Sequence, residues 1–167
     1  MQSENMEEGD RMTKAQADIL DVCCGGRMFW FSDREDVVYM DIRDEDMELC
    51  DGRIYSVRPD IVGDFRKIPF PDSSFSMVVF DPPHLLWGGG WQVDKYGKLG
   101  KDWRSDIRQG FKECMRVLKD GGFLVFKWSD CQIPLKKVSP LFPCQPMFGQ
   151  RHGSKGSIWM IFRKEVV

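Results

Sequence analysis

The sequence predicts an α/β fold with a mostly parallel sheet that ends in an antiparallel hairpin. Three observations predict it. Short apolar runs at residues 19–23, 37–40, 75–80 and 123–128 are bounded by turn residues, as in strands buried on both faces. Acids stand at or near the ends of four successive strand candidates: Asp21, Asp41, Asp64 and Asp81. One segment, residues 103–118, has its apolar residues at helical spacing, Trp103, Ile107, Phe111, Cys114, Met115 and Leu118.

In chain order, residues 19–23 read as the first strand and Gly25-Gly26 as the sharp turn leaving it. Glycines there let backbone approach a ligand and adopt positive φ. A strand, a glycine turn and a short helix or turn through Arg27-Met28-Phe29-Trp30-Phe31 is the usual entry to a nucleotide pocket. The same residues also suit a purely structural tight turn, and Gly-x-Gly-x-x-Gly is absent. Residues 37–40 form the second strand, ending at Asp41. Asp41 lies 16 residues after Gly25, near the spacing at which nucleotide folds place a ribose-binding acid. The neighbouring Asp44, Glu45 and Asp46 leave open a simple capping role for it. Residues 60–65 read as a short third strand, with Asp64 placed to accept from an amino group and Phe65 alongside a ring.

Residues 75–80 are the fourth strand. Asp81-Pro82-Pro83-His84 stops it abruptly, because two prolines forbid further ladder pairing. Asp81 therefore sits at the carboxyl end of a central strand, where open α/β sheets place their ligands. Asp81 and the Pro82 carbonyl offer acceptors only, held in one geometry by the fixed φ of the prolines. Such a clamp suits an amino group.

Residues 85–101 contain Gly88-Gly89-Gly90 and read as a glycine-rich lid. Trp87, Trp91 and Tyr96 are candidates for stacking on a planar substrate; Lys95, Lys98 and Lys101 are candidates for meeting phosphates. Packing of these aromatics on the domain is the competing reading. Asp102 is placed to cap the helix that follows, and Gly121-Gly122 to end it. Residues 123–128 are the fifth strand. Pro134, Pro140, Pro143 and Pro146 make the next region irregular, with a short helix near 135–138. Residues 147–151 and 157–163 close the chain as a β-hairpin across His152-Gly153-Ser154-Lys155-Gly156.

With 167 residues and 42% apolar content, the chain suits one domain, residues 18–167, behind a flexible acidic tail of residues 1–17. No apolar run approaches a membrane span, and the N-terminal segment has no signal-peptide character. Six cysteines without a Cys-x-x-Cys pair, and only two histidines, give little support for a metal site. Reduced, mostly buried cytoplasmic thiols are expected. The net charge of −2 hides an asymmetry. Residues 1–84 carry 9 basic and 19 acidic side chains, residues 85–167 carry 15 and 7, and the stretch 95–119 carries 8 and 3. Two surfaces with different partners, or merely a solvated helix face, account for this equally.

The order of glycine turn, acid-ended strands, Asp-Pro-Pro-His, helix, strand and hairpin resembles the class I S-adenosylmethionine-dependent methyltransferases over residues 18–163. More narrowly, Asp21-Val22-Cys23-Cys24-Gly25-Gly26-Arg27-Met28-Phe29-Trp30-Phe31 and Asp81-Pro82-Pro83-His84 resemble small bacterial and phage enzymes related to the amino-methylating DNA methyltransferases. The resemblance implies a three-layer Rossmann-like fold and S-adenosylmethionine as cofactor. It implies that Asp21, Cys23, Gly25, Arg27 and Met28 cradle the methionine part. Asp41 and Ile42 would serve the ribose end, and Asp64 and Phe65 the adenine. Asp81, Pro82, Pro83 and His84 would form the catalytic tetrad for an exocyclic amine, adenine favoured, in a nucleic acid contacted by Trp87, Trp91, Tyr96 and Lys98. No metal is implied. The pattern departs from the family at His84, where a larger aromatic residue is usual, and no target-recognition domain fits in 167 residues. A small-molecule or protein methyltransferase is the alternative enzyme. A methyltransferase-like binding module without catalysis is the alternative of another class.

Overall fold

The computed structural model describes residues 17–150 and 156–166. The expected N-terminal tail, apart from its last residue, and most of the hairpin loop at 152–156 lie outside the described residues. Among the described residues, nine strands form one seven-stranded sheet and one two-stranded sheet. They are β1 (Ile19–Asp21), β2 (Val37–Asp41), β3 (Glu45–Glu48), β4 (Ile54–Val57), β5 (Ile61–Val62), β6 (Phe75–Phe80), β7 (Leu118–Ser129), β8 (Phe148–Gly149) and β9 (Ser157–Arg163). The helices are α1 (Trp91–Tyr96), α2 (Trp103–Val117) and α3 (Leu135–Val138), followed by a 3₁₀ turn at Ser139–Leu141.

The large sheet has the order β5-β2-β1-β6-β7-β9-β8. Strands β5, β2, β1, β6 and β7 run parallel, whereas β9 and β8 are antiparallel. This is the expected α/β, Rossmann-like arrangement with an antiparallel C-terminal end. The chain leaves β1 toward β2 and β5 on one side and leaves β6 toward β7 and β9 on the other. The switch point therefore falls between β1 and β6, where such sheets open a crevice at their carboxyl ends.

Burial explains the strands. All five residues of β2 are buried, so an unbroken apolar run suffices there. β7 and β9 instead alternate. Leu124, Phe126, Trp128, Ile158, Met160 and Phe162 are buried in the main core with Ile107, Phe111 and Cys114 of α2. The opposite-face residues Val125, Lys127, Trp159 and Ile161 are only partly covered. On that second face, Cys24, Val37 and Tyr39 form a smaller cluster under Trp30.

Several boundaries differ from the sequence expectation. β1 ends at Asp21 rather than at Cys23. The third strand shrinks to Ile61–Val62: the Gly63 amide makes a last bond to the Asp41 carbonyl, and Asp64 then turns back on Lys67. The α2 helix stops at Val117, where Leu118 turns extended to pair with Phe75, so Gly121-Gly122 falls inside β7. Asp102 occupies the N-cap position, but its side chain makes no capping bond. The loop at 85–101 holds the short helix α1. The β3–β4 hairpin was not foreseen: three of the four β3 residues are exposed, and its sequence Glu-Asp-Met-Glu lacks the apolar alternation of a half-buried strand. Its bonds to Arg58, which pairs with both Asp44 and Asp46, help to hold it. The thiols also differ from expectation: all six are free, but Cys50, Cys131 and Cys144 are exposed. Among the described residues, no helix is long and apolar enough to cross a membrane.

Gly110 lets α2 lie close on the sheet. A Cβ at this position would come within 2.5 Å of Phe65 and 2.7 Å of Phe80. Phe80 is fully buried, so its ring cannot retreat. Gly110→Ala should therefore lower stability by about 1–3 kcal/mol in urea denaturation, although alanine favours a helix by ~1 kcal/mol.

Candidate active site

The carboxyl ends of β1, β2, β5 and β6 surround a cleft of about 770 Å³, within the usual range for small-molecule sites. Its walls include Cys23 to Gly26, Asp41 to Arg43, Gly63 to Arg66, Asp81 to His84, and Lys95 to Gly100 from the last turn of α1 onward. All four residues of the proline tetrad line it. So do Cys23, Gly25, Met28, Asp41, Ile42, Asp64, Phe65, Tyr96 and Lys98.

The remaining expected site residues do not. Asp21 is fully buried behind the wall. It accepts from the Cys23 amide at 3.3 Å and from Trp30 Nε1 at 2.8 Å, so it holds the glycine turn rather than a ligand. Arg27 lies 3.9 Å over the Tyr39 ring and donates to Asp33 and to the Arg58 carbonyl, with its head turned from the cleft. Trp87 and Trp91 are exposed but lie off the cleft wall. Gln132 pins the backbone at Trp87, accepting from the Leu86 and Trp87 amides and donating to the Trp87 carbonyl.

The wall acids are not idle acceptors. Asp41 Oδ2 takes the Gly25 amide at 2.9 Å, and Oδ1 takes the Arg43 amide at 3.0 Å and its Nε at 3.3 Å. Gly25 has φ 48° and Arg27 φ 55°, so two residues of this turn are left-handed. The Asp41 bond fixes a backbone that would otherwise be free. Asp64 is held by Arg66 Nη2 at 2.6 Å, and that pairing keeps its carboxyl below the ordinary range. Asp81 Oδ2 lies 2.5 Å from Lys127 Nζ. Burial pushes the Asp81 carboxyl up, against the lowering effect of Lys127. Burial, assisted by the Lys127 charge, pushes His84 down and favours the neutral imidazole. His84 and Tyr96 face each other with ring centroids 5.6 Å apart.

Three residues escaped the sequence reading. Tyr55, on the unforeseen hairpin, accepts the Gly26 amide at 2.7 Å and donates to the Lys95 carbonyl at 3.4 Å. Arg43 donates to the Asp94 carbonyl at 2.6 Å. Together they tie α1 to the β2 and β4 side of the cleft. Lys127 is the third, and it did leave a signal: it is the one charge inside the apolar stretch 123–128. Among the described residues, no group of three or more His, Cys, Asp or Glu side chains is placed to hold a metal ion.

No family model matches the chain. A 66-residue segment, 40% of the chain, is 32% identical to malonyl-[acyl-carrier protein] O-methyltransferase 1 of Coxiella burnetii. The match spans only 17% of that protein's length. Among solved structures, the PH0226 protein of Pyrococcus horikoshii aligns over 96% of this chain and 87% of its own, with TM-score 0.57 and 17% identity. A SAM-dependent methyltransferase of Methanosarcina mazei aligns over 94% and 97%, with TM-score 0.54 and 14% identity. The [4+2]-cyclase SpnF aligns over 96% and 82%, with TM-score 0.51 and 12% identity. The fold is that of the class I methyltransferases, and a cyclase shares it. Chemistry has to be argued from the site.

Burial raises the Asp21 carboxyl from its ordinary 3.8 to about 7, opposed by the Trp30 and Cys23 bonds. Between those values the folded chain holds a proton that the unfolded chain has lost. Its contribution to stability is full below about pH 4 and lost as pH rises through about 7. Asp21→Asn should flatten this part of a stability-against-pH curve measured by chemical denaturation.

Proposed function

We propose that this chain is an S-adenosylmethionine-dependent methyltransferase acting on an exocyclic amino group of a nucleobase, adenine favoured, in nucleic acid. One observation carries the reading. The Asp81-Pro82-Pro83-His84 terminus and the Cys23–Gly26 turn, from neighbouring strands, open on one cleft.

The cleft fits the cofactor. Gly26 packs against the Tyr55 ring so tightly that a Cβ would come within 2.6 Å of it, which keeps this part of the cleft wall at bare backbone. Asp41, anchored to Gly25, is the acid for the ribose, with Ile42 exposed beside it and Phe65 across the wall. Asp64 would reach an adenine amino group only with the oxygen capacity that Arg66 leaves. The cofactor supplies an electrophilic methyl group on a sulfonium.

The chain's own residues position the acceptor. Asp81 and the Pro82 carbonyl accept the two amine hydrogens, which turns the nitrogen lone pair toward the methyl donor. Neutral His84, against Tyr96, gives the base a face to stack on without adding charge. Catalysis of this kind is orientation and local electrostatics, with no covalent intermediate. Lys95 and Lys98 line the cleft, and Lys101, Arg104 and Arg108 follow them in the chain as further cations for phosphates. We also propose a cytoplasmic setting, which the six free thiols support.

A second reading is methyl transfer to the carboxylate of a small acid. The O-methylating Coxiella burnetii relative favours it.

Asp81→Ala should lower tritiated-methyl transfer to DNA or RNA by on the order of 10²-fold or more, while calorimetric binding of S-adenosylmethionine stays within a few-fold. Full activity in that variant would end the proposed mechanism. Raising salt from about 50 to about 200 mM should sharply weaken nucleic-acid binding through lost counterion release. Salt-insensitive turnover on a small carboxylic acid, with none on nucleic acid, would select the second reading.

A further inference from the structure

Lys127 faces the site because of strand register. Phe80 pairs with Phe126 between parallel β6 and β7, so the next residues, Asp81 and Lys127, stand side by side. Lys127 pairs in turn with Trp159 of β9. The ammonium lies 5.5 Å from the Phe29 ring centroid and 5.7 Å from that of Trp159. Both rings therefore steady it at the cleft wall. The Lys127 and Asp81 side chains keep 22% and 19% of their exposure, and both line the cleft.

Each partner has capacity left. An ammonium has three N–H donors, and Asp81 takes the one side-chain bond found for Lys127 among the described residues. Asp81 Oδ1 accepts no bond among them. The pair thus presents an acceptor and a donor next to each other. An alkyl ammonium offers donors only and meets the Lys127 charge. A carboxylate offers acceptors only and meets the Asp81 charge. A ring carbon bearing an amino group beside a bare ring nitrogen offers the complementary donor and acceptor, as adenine does at its amino group and N1.

Resting on the nucleobase reading above, we infer that Lys127 is a substrate-reading residue. It donates to the unprotonated ring nitrogen next to the amine that Asp81 holds, and so restricts the acceptor to aminoheteroaromatic rings. The bond acts in recognition. Donation to the ring nitrogen draws electron density off the amine, so the gain falls on KM and not on kcat.

The test compares oligonucleotides carrying adenine, 1-deazaadenine or 7-deazaadenine at the methylated position, with wild type and Lys127→Met. For wild type, 1-deazaadenine should raise KM about 10- to 100-fold, the worth of one charge-assisted hydrogen bond, while 7-deazaadenine leaves KM nearly unchanged. In Lys127→Met the adenine and 1-deazaadenine substrates should have equal KM. Equal KM for these two substrates in wild type overturns the inference and leaves the nucleobase reading standing. That comparison needs no variant, so it holds even if Lys127→Met does not fold. A 1-deazaadenine penalty of the same size in Lys127→Met also overturns the inference. Absence of transfer to any adenine oligonucleotide by wild type ends both readings.

Discussion

Parallel pairing is the constraint on which the site depends. β1 pairs with β2 and β6, β2 with β5, and β6 with β7, all in one direction. Every carboxyl end therefore meets the same edge of the sheet. Residues from 23 to 127, far apart in the chain, come to surround one crevice for that reason alone. The reversal of strand order between β1 and β6 opens the edge, and the prolines after Asp81 prevent β6 from closing it again.

Convergence does not make every acid available to a ligand. Asp21 is withdrawn from water, and its two hydrogen bonds offset part of the desolvation cost by fixing Cys23 and Trp30. Asp41 locks the left-handed Gly25, and Asp64 is spent largely on Arg66. What reads as four equivalent acids along the chain resolves into a structural brace, a turn anchor, a half of a surface ion pair, and one carboxylate at the clamp. Even that one shares its charge with Lys127. The electrostatics of the pocket are accordingly nearer to neutral than an acid count suggests.

The buried strands and the long helix were legible because local pattern and burial agree in them. Val37 to Met40 is apolar throughout and buried throughout. The α2 stripe of Trp103, Ile107, Phe111 and Cys114 points into the core at its helical spacing. The β3–β4 hairpin was not legible, because exposed strands carry no apolar period. Tyr55 was lost with it, although it braces the glycine turn. Arg27 and Trp91 looked functional by type and neighbourhood, yet a guanidinium has an aromatic ring to cover and the indole lies outside the wall.

The sequence by itself determined that buried parallel strands end in acids, that a rigid acceptor clamp follows one of them, and that a single periodic helix covers them. Those properties come from residue type, spacing and the fixed backbone of proline. Only the tertiary structure decided which acids face the crevice, that Tyr55 and Arg43 fasten α1 across it, and that Lys127 stands beside Asp81. These are matters of register and cross-strand neighbourhood between segments up to 51 residues apart, and nothing in local sequence encodes the register of one strand on another.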